Sequence, residues 1–145
     1  MFKRTEYILT NLSKISHKQY ELYVISRIIH LLDDPEIEFV CQQLIRVKSG
    51  DWYLADLCFP QLKLYLEIHE LQHSKEEHII SDKHRKREIM DATDFKEYRI
   101  KVFDEGNTPN LKSIYKINKE VDEFIKVLNK RKIRQSKYAL ELIQN

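Results

Sequence analysis

The sequence predicts an α/β fold with a mixed, mainly antiparallel central sheet flanked by helices. Apolar residues recur at helical spacing near both ends of the chain, and short runs of β-branched and aromatic residues lie between them. The 145 residues leave room for one domain with a substantial core. With only two glycines and three prolines, the chain is expected to form regular structure rather than long loops.

The first predicted helix covers residues 16–32, with Ser16 as its N-cap. Pro35 ends it, because the residue before a proline is pushed out of the helical region. One apolar stripe follows helical spacing: Tyr20, Val24, Ile28 and Leu31. Further apolar residues widen this stripe: Leu22, Ile25, Ile29 and Leu32. The width indicates either deep burial or contact with a second copy of the chain, and so allows a homodimer.

Three antiparallel strands are predicted after this helix. Residues 37–47 and 52–59 form a hairpin around a turn at 48–51, and alternating leucines at 62–66 form the third strand. The remaining elements are a charged helix over 74–92, a short strand over 98–103 and an amphipathic helix from residue 114. Together they describe a mixed α/β sandwich.

Composition narrows the classes of protein. No stretch approaches the length of a membrane span and the start lacks the pattern of a signal peptide, so a cytoplasmic protein is expected. Cys41 and Cys58 lie in apolar strand patterns without CxxC spacing and are expected to be reduced core residues. The net charge of +2 does not by itself indicate a nucleic-acid partner. Two basic clusters, 83–87 and 130–134, suit either phosphates or solvated helix surfaces, and the candidate DNA contacts are Lys83, Arg85 and Arg87.

Acidic residues and histidines interrupt the predicted buried strands. Burying an unpaired carboxylate costs roughly several kcal/mol unless a cation or hydrogen bonds compensate it. Glu67 and His69 are two apart and share a strand face, while Asp56 lies on the neighbouring strand and His73 follows just past the strand end. Because Mg²⁺ prefers carboxylate oxygens, Asp56 and Glu67 are the predicted metal ligands. The predicted chemistry is metal-assisted hydrolysis of a phosphodiester.

Alternatives to this interpretation remain open. Glu67 with His69 and His73 could bind Zn²⁺, because imidazole suits transition metals. A DNA-binding or assembly module could keep the fold without catalysis, although the intact pair of Asp56 and Glu67 disfavours it. A structural dimerisation module built on the first helix would leave that pair unexplained.

The sequence also predicts the contacts of four further residues. Asp82 and Arg85 lie one helical turn apart and are expected to form a surface ion pair. Trp52 and Tyr53 are expected to pack in the core and at its rim rather than to stack on bases.

The residues also carry a family resemblance. Asp56-x10-Glu67-x-His69 resembles the core motif of the PD-(D/E)XK nucleases, with His69 where lysine commonly stands. A longer pattern is similar to the Vsr-like (very-short-patch-repair) endonucleases over residues 16–105: Asp56-x-x-Phe59-Pro60, Leu64-x-x-Glu67-Ile-x-Glu70-x-x-His73, Asp82-x-x-Arg85 and Tyr98-Arg-Ile-x-Val-Phe103. Within that branch, the first helix, Tyr20-Glu21-x-Tyr-Val-x-x-Arg27, and the last helix look most like the N-terminal nuclease domain of restriction enzymes directed at hydroxymethylcytosine or its glucosylated form.

The resemblance implies a Mg²⁺-dependent DNA endonuclease, with Mn²⁺ as a substitute. It assigns metal binding to Asp56 and Glu67 and places His69 and His73 near the scissile phosphate. It also implies that Glu21 supports the attacking water. Relatives often carry Asp or Lys at the position of His69 and Gly at the position of Glu70, which leaves the number of metal ions open.

The resemblance also bears on domain organisation. It implies a nuclease domain over residues 1–131 and a tail or linker stub over 132–145. Enzymes of this group carry a second, SRA-type domain that binds the flipped modified base, and 145 residues leave no room for it. The chain is therefore expected to be a separated nuclease domain, or a nuclease that depends on a partner for targeting to double-stranded DNA.

Overall fold

A mixed four-stranded sheet with helices on both faces organises the chain, which confirms the predicted fold class. The computed structural model describes residues 2–14, 18–69, 76–104 and 110–144. Its elements are α1 (Phe2–Ser13), α2 (Gln19–Leu32), β1 (Val40–Arg46), β2 (Trp52–Phe59), a 3₁₀ turn (Pro60–Leu62), β3 (Leu64–His69), α3 (Glu76–Thr93), β4 (Lys96–Lys101), β5 (Phe103–Asp104), β6 (Asn110–Leu111) and α4 (Ile114–Gln144). The sheet order is β1-β2-β3-β4, antiparallel as far as β3, and β4 runs parallel to β3. α3 supplies the crossover that a parallel pair requires.

The β1–β2 hairpin forms where the sequence predicts it. β2 has the predicted bounds, whereas β1 begins three residues later than the predicted strand over 37–47. In the turn, the N–H of Gly50 bonds to the carbonyl of Val47, and Gly50 takes a φ of 93°, which glycine adopts at little cost.

The N-terminal helix α1 was not predicted; both polar contacts and the apolar side chains of Ile8 and Leu12 attach it to the rest of the domain. The amide oxygen of Asn11 accepts a hydrogen bond from the backbone N–H of Cys41 at 2.9 Å, and the hydroxyl of Tyr7 donates to the carbonyl of Phe39. The predicted N-cap of α2 was wrong: the helix begins at Gln19 with Lys18 as its N-cap, and Ser16 lies outside the described residues.

Two clusters of buried side chains lie on opposite faces of the sheet. Leu64 and Leu66 of β3 belong to the cluster formed with α2 and α4, whereas Tyr65 belongs to the cluster with Ile89 of α3. This alternation follows the two-residue period of a strand. Apart from Leu31, which is exposed, the wide apolar stripe of α2 packs within the chain, because its outer members also contact the first cluster: Leu22, Ile29 and Leu32. A homodimer therefore gains no support from this stripe and stays a prediction.

The last helix continues without a break past residue 131. The guanidinium of Arg131 donates to the carbonyl of Leu62 at 2.8 Å, and the ammonium of Lys132 lies 2.7 Å from the carboxylate of Asp34. These contacts attach part of the second basic cluster to the domain. The division into a domain and a linker stub stays a prediction.

Cys41 and Cys58 are buried free thiols, as the sequence predicts. Burial raises the pKa of each thiol to about 12. Within the described ranges, no helix combines the length and apolar character needed to cross a membrane.

Phe124 gives a test of the core. Its ring lies 4.8 Å from that of Tyr98 and 6.1 Å from that of Phe59, and its side chain is fully buried. We expect Phe124→Ala to lower the free energy of unfolding by about 3–5 kcal/mol, because a large cavity replaces the ring. Urea denaturation measures this, with Tyr115→Ala as the control, since Tyr115 on the same helix is 79% exposed. Equal losses in the two variants would contradict the described packing of α4.

Candidate active site

Asp56 and Glu67 lie side by side on adjacent strands. The ladder pairs Leu57 of β2 with Leu66 of β3, so the next step along it brings Asp56 to Glu67. One carboxylate oxygen of Asp56, Oδ2, accepts a hydrogen bond from the backbone N–H of Ile68 at 2.7 Å. Glu67 is only 6% exposed. The strand register therefore brings together the two acids that the sequence analysis singled out.

Glu21 joins these acids from the start of α2, through Gln42. The side-chain amide of Gln42 donates to Oε1 of Glu21 at 2.7 Å and to Oδ1 of Asp56 at 3.3 Å. The ammonium of Lys18 lies 3.3 Å from the other oxygen of Glu21. Gln42 has a φ of 54°, a conformation that is costly for a residue with a side chain. The amide thus links a carboxyl group on a helix to one on the sheet.

The three acids Glu21, Asp56 and Glu67 form an acid cluster. Arg85 of α3 reaches this cluster from the other face of the sheet. Its Nη2 lies 2.8 Å from Oε1 of Glu67 and donates to the carbonyl of Leu54 at 2.7 Å. The guanidinium carbon lies 5.2 Å from the centroid of the Tyr53 ring. The hydroxyl of Tyr53 in turn donates to Glu88 at 2.9 Å. Arg85 is therefore held on three sides and directed at a buried acid.

The predicted surface pair of Asp82 with Arg85 was wrong. Asp82 instead pairs with Arg99, at 3.3 Å between Oδ2 and Nη1. The physical reason is burial, because an unpaired acid at the position of Glu67 would cost more than an exposed ion pair at one helical turn contributes. Lys83 and Arg87, the other two candidate DNA contacts, are exposed on α3.

The charge of Asp56 raises the pKa of both glutamates in this cluster, Glu21 and Glu67. Burial, followed by the charge of Asp56, raises the pKa of Glu67 to about 9, against the effect of Arg85. Burial, followed by the charge of Asp56, raises the pKa of Glu21 to about 7, against the effect of Lys18. Arg85 is therefore the contact that favours the ionised form of Glu67. The cluster holds more acid than its two neighbouring cations neutralise.

The donor set fits a hard divalent cation better than a soft one, because Glu21, Asp56 and Glu67 all offer carboxylate oxygens. In the described parts of the chain, however, no three His, Cys, Asp or Glu side chains already converge as a metal cage. Asp56 is engaged with the Ile68 N–H, and Glu67 with Arg85. A cation would have to compete with these contacts.

Of the two histidines of the predicted site, His69 is among the described residues and His73 is not. His69 is the last residue of β3, half-buried, and its carbonyl accepts a hydrogen bond from the N–H of Val102 at 3.0 Å. Because it lies two residues from Glu67 on a regular strand, it shares the strand face of that acid. His73 and Glu70 lie outside the described residues.

Comparison with known proteins identifies the family. The family described as "Restriction endonuclease PvuRts1 I-like, N-terminal" matches residues 5–141. This chain belongs to that family. It is also similar to a solved structure titled "The 5-Hydroxymethylcytosine-Specific Restriction Enzyme AbaSI", with a TM-score of 0.71 and 28% sequence identity. No curated protein sequence matches the chain.

The PvuRts1 I-like assignment confirms the most specific part of the resemblance, that to the N-terminal domain of a modification-dependent restriction nuclease. The match with AbaSI covers 94% of this chain and 49% of the AbaSI chain, so this chain spans about half the length of that enzyme. The wider PD-(D/E)XK and Vsr-like assignments stay predictions.

Two residues of this PvuRts1 I-like site were missed from the sequence. Gln42 was missed because its side chain is neutral. The hairpin register is a signal for it, because Cys41 pairs with Leu57 and Gln43 with Ala55, so that Gln42 lies opposite Asp56. Arg85 was assigned to a surface pair or to DNA, and no sequence signal distinguishes a cation that turns inward.

Proposed function

We propose that this PvuRts1 I-like domain is a metal-dependent DNA endonuclease that hydrolyses phosphodiester bonds, with Mg²⁺ as its cofactor and Mn²⁺ as a substitute. One observation carries the proposal: Asp56 and Glu67 lie side by side on neighbouring strands, in a chain of a restriction endonuclease family. Buried acids in excess of their cations are costly for folding alone, so a ligand for them is the economical explanation.

Asp56 and Glu67 would hold the cation. When bound, Mg²⁺ would supply positive charge to the phosphodiester and make a nearby water a better nucleophile. The N–H of Ile68 and the amide of Gln42 orient the Asp56 carboxylate, and Arg85 orients that of Glu67. Such outer contacts set the direction of ligand oxygens.

Proton transfer falls to groups beside the acid pair. His69, on the face of Glu67, would accept or donate a proton at a ring nitrogen near the scissile phosphate. His73 keeps the same proposed role, and Glu21 is proposed to support the attacking water from α2. The exposed cations Lys83 and Arg87 would contact phosphates farther along the duplex.

We further propose duplex DNA with modified cytosine as the substrate class. The solved structure similar to this chain is titled as a 5-hydroxymethylcytosine-specific restriction enzyme, and this chain corresponds to about half of it. A modified-base-reading domain or partner would supply the targeting, and a homodimer would cut both strands.

A cleavage panel tests the proposal. Plain, methylated, hydroxymethylated and glucosylated duplexes are incubated with Mg²⁺, Mn²⁺ or EDTA. We expect cutting that requires the metal. A preference among the duplexes would show whether this chain itself recognises the modified base. Cutting that is equal in EDTA would contradict metal dependence. Folded protein that cuts none of the duplexes would favour the second candidate, a non-catalytic DNA-binding module, for which the engagement of Glu67 by Arg85 is the supporting observation.

Arg85 gives a separate prediction. We expect Arg85→Gln to slow single-turnover cleavage by about 10–100-fold, because Glu67 loses the contact that directs its carboxylate. Lys86→Gln is the matched control, since Lys86 is an exposed cation next to Arg85 on α3. Equal rates in the two variants would show that Arg85 only supports packing.

A further inference from the structure

The outer half of the β1–β2 hairpin presents an open, largely apolar face. Leu44 pairs with Leu54, and Arg46 with Trp52. The exposed fractions are 47% for Leu44, 40% for Leu54 and 58% for Trp52, and Arg46 is also exposed. We call these four residues the outer hairpin face. The opposite side of the hairpin is covered, because Ile45 and Ala55 pack in the cluster with α3.

The outer hairpin face begins two residues beyond the candidate active site. Leu54 precedes Asp56 by two residues on β2, and Leu44 follows Gln42 by two residues on the antiparallel β1. At about 3.3 Å per residue, Leu54 lies about 7 Å and Trp52 about 13 Å along the strand from Asp56. A duplex with a phosphodiester at Asp56 would therefore extend over this face.

Folding does not account for this exposure. A large indole and two leucines, paired across a hairpin, usually mark a binding surface when they stay open to solvent. Trp52 therefore does not pack in the core or rim as expected, whereas Tyr53, directed to the other side, does. The charge around the face is positive on balance, with Arg46 and Lys48 against Asp51. This sign favours a polyanion over a second copy of the same positive surface.

We propose that the outer hairpin face binds a groove of the DNA duplex beside the scissile phosphodiester. This proposal rests on the proposed function. The major groove, about 12 Å wide, admits a two-stranded β-ribbon. Trp52, Leu44 and Leu54 contact sugars and base edges there, and Arg46 lies against the phosphates. The hairpin thereby sets the register in which the duplex meets Asp56 and Glu67.

Trp52 reports on this directly, because it is the single tryptophan of the chain. In the full chain carrying Asp56→Asn, so that the DNA stays uncut, indole emission is followed while a hydroxymethylated duplex is added with Mg²⁺. We expect saturable quenching. We also expect Trp52→Ala to weaken duplex binding by about tenfold, measured by fluorescence anisotropy of labelled DNA. Arg46→Gln should lower the salt dependence of binding by about one phosphate contact.

The matched controls are Tyr115→Ala and Lys119→Gln, exposed residues on α4 away from the hairpin. Binding that is weakened equally by the α4 and the hairpin variants would overturn the proposal, as would bound DNA without a change in Trp52 emission. Emission that depends on protein concentration but not on DNA would also overturn it and would make the face an interface between copies. If DNA quenches Trp52 but the wild-type chain cuts no duplex, the result supports DNA binding by the outer hairpin face and counts only against the proposed nuclease function.

Discussion

Asp56→Asn is expected to abolish DNA cleavage, with a loss of at least about 10³-fold in the single-turnover rate. A bound divalent cation contributes several kcal/mol of transition-state stabilisation, and about 4 kcal/mol corresponds to this factor. The substitution removes a negative ligand oxygen while it keeps the size of the side chain. The amide oxygen of asparagine can still accept the hydrogen bond from the Ile68 N–H, so the strand pair should stay intact.

Asp34→Asn is the control for this variant. Asp34 is also paired, with the ammonium of Lys132 at 2.7 Å, but it lies after α2 and outside the acid cluster. We expect it to cleave at the wild-type rate. Circular dichroism and thermal melting establish that both variants fold. A folded Asp56→Asn protein that cuts within tenfold of wild type would exclude Asp56 as a metal ligand.

Glu67→Gln is expected to lose cleavage to a similar extent while stabilising the metal-free protein at alkaline pH. The pKa of Glu67 rises from its ordinary value of 4.5 to about 9 in the folded chain. Between these values the folded state binds more protons than the unfolded state, so the free energy of unfolding falls as the pH rises. Glutamine removes this titration, and its amide oxygen can still accept the hydrogen bond from Arg85.

The two buried acids can be separated by pH. Since the pKa of Glu21 is raised only to about 7, its loss of stability is complete at lower pH than that of Glu67. In EDTA we expect the melting temperature of wild type to fall by at least about 3 °C between pH 7 and pH 9, and that of Glu67→Gln to fall less. Glu123→Gln, an exposed acid on α4, should match wild type. A parallel fall in all three proteins would show that Glu67 is already ionised.

The predictable and unpredictable parts of this fold differ in what specifies them. Strand alternation and the turn at Gly50 are local signals, so the hairpin and the neighbouring positions of Asp56 and Glu67 could be predicted from the sequence. The attachment of α1 could not, because Asn11 bonds to the backbone of Cys41, thirty residues away, and Ile8 and Leu12 pack on a core that later elements form.

The surroundings of the acids were equally hidden. Helical spacing pairs Arg85 with Asp82, and only the packing of α3 over β2 and β3 turns Arg85 towards Glu67. Trp52 and Tyr53 are adjacent aromatic residues with the same strand preference. Which of them faces the core depends on the position of α3, which cannot be predicted from the local sequence.

Anomalous scattering from Mn²⁺, in crystals of the protein with a duplex substrate, tests whether Asp56 and Glu67 hold the catalytic cation. Cleavage assays report activity, whereas this measurement locates the cation itself. We expect an anomalous peak within bonding distance of carboxylate oxygens of both Asp56 and Glu67. A complex that is competent to cut, with its manganese peak away from both carboxylates, would show that Asp56 and Glu67 do not bind the metal.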